Sequence, residues 1–248
     1  MADAPISGGP VPDALRADLA AASRILAERG VVDAMGHVSH RHPDTPERFV
    51  MPRAMAPALV TPNDIMEYDL DSVAVAGETR KGFIERFIHG EVYRARPDIV
   101  SVVHSHSPSV IPFGLVAAPM QAMFHNAAFL AGGVPVWDIR QSFGTTDMLV
   151  CNCARGADLA AVLDGGTVAL MRGHGSIACG ETLQLAVYRA VYTEVNARIQ
   201  HWTQALAADG EMAALSPEEG TLADVANSGA SLRAWELWRS EVRGTTGW

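Results

Sequence analysis

The chain has 248 residues, with 19 Lys and Arg against 28 Asp and Glu, a formal charge of −9, and 48% apolar residues. That composition can bury a sizeable core in one large domain, and it lacks the basic footprint that nucleic acid requires. There is no run near the ~18 apolar residues of a membrane span and no basic-then-apolar leader. The three cysteines, Cys151, Cys153 and Cys179, are too few for a disulfide framework, so the expectation is a cytoplasmic protein with structural thiols.

Residues 1–11 are rich in Gly and Pro and are expected to be flexible, with one domain over 12–248. Asp13 is placed to cap a helix that puts Leu15, Leu19, Ala22, Ile25 and Leu26 on one face and stops at Gly30. Short apolar segments near 36–40, 48–51, 58–60, 65–69 and 73–76 are broken by Pro, Gly and Asn and read as strands. Phe83, Phe87, Ile88 and Val92 have helical spacing, which predicts a helix over 83–94. The β-branched run at 99–103 predicts a buried strand. Helices are expected over about 107–116, 124–131, 155–163, 182–208, 217–226 and 231–243. Strands are expected at 134–139, 167–171 and 176–179, the last two as a hairpin. No linker divides the pattern, which is that of an α/β chain with a sheet covered by helices on both sides, α/β/α.

Chemistry concentrates in the histidines. His104-Ser105-His106 ends a predicted strand, where residues i and i+2 face the same side, roughly 6–7 Å apart. Both imidazoles can therefore meet one ion. His174, which follows a second buried strand between Gly173 and Gly175, is the best third ligand. Three protein ligands leave positions open for substrate, as in a catalytic site. Glu85 begins the preceding helix and serves as an acid/base beside the ion, as a fourth ligand, or only as a dipole partner. His89 shares its helix face and is read as a packed, hydrogen-bonded histidine. His40 and His42 are read as polar residues of an exposed turn. Tyr188 and Tyr192 are read as core, and Trp235 and Trp238 as packing on a neighbouring subunit.

Several segments, in the same order, resemble the class II aldolase/adducin family: Gly36-His-Val-Ser39, Glu85-Arg-Phe-Ile-His89, Ala95-Arg-Pro-Asp98, Val102-Val-His-Ser-His106, Phe124 to Gly133, and Leu170-Met-Arg-Gly-His-Gly175. The resemblance spans about 12–208. It implies a single α/β/α domain with a largely antiparallel central sheet, and a homotetramer with active sites between subunits. It also implies one divalent metal ion on His104, His106 and His174, with Glu85 as acid/base. Adducin-like members have lost the metal histidines, which this chain keeps; a non-catalytic interaction module is therefore the reading from another class.

The departures are informative. Sugar-phosphate aldolases of the family carry two serines before the catalytic glutamate, where this chain has Phe83-Ile84. That wall suits an aromatic ring better than a phosphate. His37 and Arg53 stand on nearby loops, and Arg offers a planar fork for a carboxylate. The pattern is similar to the decarboxylase branch of the family. The implied activity is metal-dependent decarboxylation of an aromatic or heteroaromatic ortho-hydroxy (di)carboxylate, a step of aromatic catabolism. A Lewis-acidic ion takes up the charge, His37 and Arg53 hold a second carboxylate, and Glu85 or His125 returns the proton. Manganese or zinc is expected, and iron or cobalt also suit the ligand set. The alternative is an aldolase acting on a non-phosphorylated hydroxy-keto acid.

Overall fold

The computed structural model describes residues 4–207, 210–227 and 229–244. The first helix, α1 (Asp13–Glu28), starts behind Pro12, which takes the cap position. Asp13 lies in the first turn and makes no capping hydrogen bond, contrary to the sequence expectation. Leu19, Ala22, Ile25 and Leu26 are fully buried, and Gly30 (φ +70°) ends the helix.

Among the described residues seven strands form one sheet: β1 (His37–Arg41), β2 (Arg48–Pro52), β3 (Ile65–Asp69), β4 (Ser101–Ser105), β5 (Val136–Trp137), β6 (Val168–Met171) and β7 (Gly175–Gly180). Their order is β3-β2-β1-β4-β7-β6-β5, and every pairing is antiparallel except β5 with β6. Two expected strands do not form. Pro57, which lacks an N–H, opens a 3₁₀ turn at Pro57–Leu59, and 73–76 contributes only the Ala74–Tyr68 bridge. The expected helices over 107–116 and 124–131 shrink to 3₁₀ turns at Ile111–Gly114 and His125–Leu130.

The remaining helices are α2 (Phe87–Ala95), α3 (Arg140–Phe143), α4 (Cys153–Leu163), α5 (Leu183–Ala207), α6 (Pro217–Ala226) and α7 (Ala230–Gly244). Alternation along the central strands divides the core. Val102, Ile177 and Cys179 join Ile88, Val92, Tyr93 and Leu159 of α2 and α4. Val103 and Ala178 face the other way, toward Leu19, Ile25 and Val187 of α1 and α5. The result is a three-layer α/β/α domain with a largely antiparallel sheet. Trp235 and Trp238 of α7 lie in this second layer, each 6% exposed. The Arg29 guanidinium covers Trp238 at 5.5 Å. These rings thus fill the chain's own core and do not stand out toward a neighbour. No helix among the described residues is long and apolar enough to cross a membrane.

The segment before α1, expected to be flexible, is pinned where it is described. Glu67 of β3 accepts from Ser7 Oγ (2.6 Å) and Gly8 N (2.5 Å), and Ala76 N donates to the Pro5 carbonyl (2.9 Å). A buried carboxylate needs such partners. His42 is 1% exposed, contrary to the reading of an exposed turn. Its Nδ1 accepts from the Asp44 and Thr45 amides, and its Nε2 faces the Gly9 carbonyl at 3.3 Å.

The two glycines around His174 act differently. Gly173 takes φ +63°, the left-handed turn from β6 toward β7. Gly175 lies so close to β4 that a Cβ there would stand 1.9 Å from the Ser105 carbonyl oxygen. Gly175→Ala is therefore expected to force β4 and β7 apart and to cost about 1–3 kcal/mol or more, seen as a lowered Tm together with loss of bound metal.

Candidate metal centre and substrate cavity

His104 lies in β4 opposite His37 of β1 and Ile177 of β7, and it is fully buried. Its Nδ1 lies 3.1 Å from the Ser176 carbonyl, which can only accept. The proton therefore sits on Nδ1, and Nε2 presents a lone pair. His106, two residues on, brings its Nε2 to 3.1 Å from that of His104. His174, in the β6–β7 turn, brings its Nε2 to 3.0 Å from that of His106.

Glu85 completes the cluster from the 3₁₀ turn Ile84–Arg86, with φ −90° and ψ 19°, a region where many active-site residues sit. Its Oε1 accepts from the Val150 amide at 3.0 Å. Its Oε2 stands 3.4, 4.0 and 3.3 Å from the Nε2 atoms of His104, His106 and His174. Arg86 braces the turn, donating to the Ser72 and Phe83 carbonyls.

The cluster fits a divalent cation. Ligands ~2.1 Å from a tetrahedral ion stand about 3.4 Å apart, close to the separations seen. Nitrogen lone pairs 3.0–3.1 Å apart beside a carboxylate repel one another unless a proton or a cation lies between them. All four ligand atoms lie within 4.8 Å of one another. Burial, then the neighbouring His104 and His174, lowers His106 to about 4, so its ring is neutral at pH 7 as ligation requires. Burial alone would raise Glu85; positive charge at the cluster, which His104 and His174 carry only when protonated and a bound cation supplies when they are neutral ligands, holds its carboxyl well below the carboxylate range.

A cavity of about 520 Å³ opens beside the cluster, lined by His37, Lys81, Glu85 and His106 together with Met35, Met55, Phe83, Ile84 and Leu149. That size suits a small-molecule site. Phe83 packs against His37 with ring centroids 4.5 Å apart. Behind His37 lies His89, fully buried and hydrogen-bonded as its spacing suggested. Burial lowers His89 to about 3. An unfolded histidine titrates near 6.5, so below that pH the unfolded chain takes up a proton that folded His89 refuses. Stability is then expected to fall by about 1.4 kcal/mol per pH unit from this group between about pH 6 and pH 4. Denaturant unfolding across that range should show a shallower acid slope for His89→Phe.

Comparison with known proteins places this geometry. Residues 17–201 match the class II aldolase and adducin N-terminal domain. The chain belongs to the class II aldolase and adducin family. The decarboxylase tropJ of Talaromyces stipitatus is 36% identical over 241 residues, covering 88% of this chain and 90% of that one. The 3,4-dihydroxyphthalate decarboxylase of Arthrobacter keyseri is 31% identical over 242 residues, covering 92% of each. L-fuculose 1-phosphate aldolase from Glaciozyma antarctica PI12 shares the fold, with a TM-score of 0.77 at 20% identity over 98% of this chain and 95% of that one.

Within this class II aldolase domain the expected site residues divide. His37, Glu85, His104, His106 and His174 converge. Arg53 does not line the cavity. Its guanidinium is 2.7 Å from Asp64, eleven residues on, although its neighbours Ala54 and Met55 do line it. Burial would raise Asp64, but Thr61 and Arg53 hold its carboxyl low, so the pair stays charged. His125 is exposed on its 3₁₀ turn and does not line this cavity either. The residue that sequence reading missed is Lys81, the chain's sole lysine. It lines the cavity, and its backbone carbonyl accepts from the Ala54 amide at 2.8 Å. Its uniqueness in the composition was the available signal.

Proposed function

We propose that this chain is a carbon–carbon lyase that decarboxylates an aromatic or heteroaromatic ortho-hydroxy (di)carboxylate, with one divalent ion, manganese or zinc, per subunit. The observation that carries the reading is a metal-fitting His/Glu cluster opening on a cavity walled by Phe83 and Ile84. Such a wall receives a flat ring. The decarboxylase names of tropJ and the dihydroxyphthalate enzyme support the same chemistry.

His104, His106 and His174 would hold the ion, which when bound supplies Lewis acidity worth several kcal/mol. Glu85 is ionised, so it takes the proton of the substrate's ring hydroxyl as the substrate enters. After the C–C bond breaks and CO2 leaves, the Glu85 carboxyl delivers that proton to the ring carbon. Its Oε1 stays anchored on the Val150 amide while Oε2 faces the cluster. His37 and Lys81 receive the second carboxylate, and Lys81 takes the part that sequence reading gave to Arg53. A role for His125 requires the cavity of a neighbouring subunit, as in the homotetramer that the family resemblance implies.

Lys81→Met should raise KM for a dicarboxylate about tenfold with little change in kcat, the loss of one solvent-accessible charged contact. Steady-state kinetics on di- and monocarboxylates would check it. An unchanged KM would remove Lys81 from the site. The activity itself is tested by incubating the metal-loaded protein with ortho-hydroxy dicarboxylates and with hydroxy-keto acids. CO2 without an aldehyde supports decarboxylation, and an aldehyde supports the aldolase alternative.

A further inference from the structure

Four buried polar groups run from the cavity into the core. His37 Nδ1 lies 2.6 Å from His89 Nε2, His89 Nδ1 lies 2.6 Å from Ser39 Oγ, and Ser39 Oγ lies 2.6 Å from the Tyr93 hydroxyl. Two elements supply them. His37 and Ser39 share one face of β1, and His89 and Tyr93 stand four apart on α2. None is more than 5% exposed.

Counting protons sets the polarity of this chain. Tyr93 has one hydroxyl proton; the Val102 backbone amide beside that hydroxyl can only donate to it, so Ser39 Oγ, 2.6 Å away, is the acceptor for the proton. Burial pushes the phenol up, so it keeps its proton, and the proton points at Ser39. The Ser39 proton then goes to its other partner, His89 Nδ1. His89 Nδ1 accepts there and so carries no proton, which leaves the imidazole proton on Nε2. His89 donates that proton to His37 Nδ1. The opposite polarity would leave the buried Tyr93 proton without an acceptor, at the full desolvation penalty of that group. Nε2 is the remaining nitrogen of His37, and His37 lines the cavity.

We infer that Tyr93, Ser39 and His89 are positioning residues that hold His37 in its Nε2–H tautomer, so that the cavity meets a fixed, neutral hydrogen-bond donor there. Such a donor selects an acceptor, a carboxylate or carbonyl oxygen, and disfavours an N–H group at the same point. The assignment of that acceptor to a substrate carboxylate rests on the decarboxylase reading; the tautomer does not.

The test is solid-state NMR of the zinc-loaded full chain carrying ¹³C,¹⁵N-histidine, with the His37 signals identified by their loss in His37→Asn. The expected result is an Nε2–H tautomer for His37, giving way to a mixture or to Nδ1–H in Tyr93→Phe and in Ser39→Ala. Calorimetric titration with phthalate should show binding weakened about fivefold in Tyr93→Phe at unchanged zinc content. An Nδ1–H tautomer in the parent protein, or one unmoved by both substitutions, would overturn the inference. The expected spectra from a protein that decarboxylates nothing would sink the functional reading and leave the positioning chain standing.

Discussion

Replacing His104 with alanine is expected to strip the ion from the protein and to lower turnover by about three powers of ten or more. The ring is fully buried, and its Nδ1–H bond to Ser176 aims Nε2 at the centre of the cluster. Without it only His106, His174 and Glu85 remain, and the ligand whose orientation the backbone fixes is gone. Lewis acidity of several kcal/mol corresponds to several factors of ten in rate at ~1.4 kcal/mol each. Elemental analysis beside a turnover assay reads both effects, and far-UV circular dichroism shows whether the sheet persists. A His104→Ala protein with full metal content and full activity would refute the centre.

Glu85→Gln separates the acid/base from the ligands. Glutamine keeps the shape and can still accept from the Val150 amide through its carbonyl oxygen. The three imidazoles are untouched, so the metal should stay near one ion per subunit. The amide cannot carry a proton from the substrate hydroxyl to the ring carbon, and kcat is expected to fall about 10²- to 10⁴-fold. Metal lost in proportion to activity would instead make Glu85 chiefly a ligand. Deuterium incorporation into the product in D₂O adds a second readout, because it follows the proton that the proposed mechanism assigns to Glu85.

The histidine cluster was legible because its signals are local. His104 and His106 are two apart on a strand, and His174 is marked by Gly173, whose positive φ the turn requires. The two-sided sheet was legible for a similar reason: β4 and β7 alternate which core each residue enters. Arg53 was misplaced because its partner, Asp64, is brought to it only by the β2–β3 pairing, which ends at Pro52 and Ile65. Lys81 escaped notice because it sits in an irregular stretch where periodicity has nothing to say. The chain from His37 to Tyr93 joins β1 to α2 across some fifty residues, such as the 52 between His37 and His89. No local spacing could reveal it, although Ser39 and His89 were visible one by one. Trp235 and Trp238 show the reverse limit: an amphipathic helix shows that it needs cover, not which surface provides it.

The most direct test of the decarboxylase reading is product analysis on the manganese- or zinc-loaded protein given 3,4-dihydroxyphthalate and related ortho-hydroxy dicarboxylates. The expected result is CO2 and a ring product, in equal amounts, that carries hydrogen where the carboxyl stood, with turnover lost in Glu85→Gln. Cleavage of a hydroxy-keto acid to an aldehyde, with no CO2 from any aromatic acid, would contradict it.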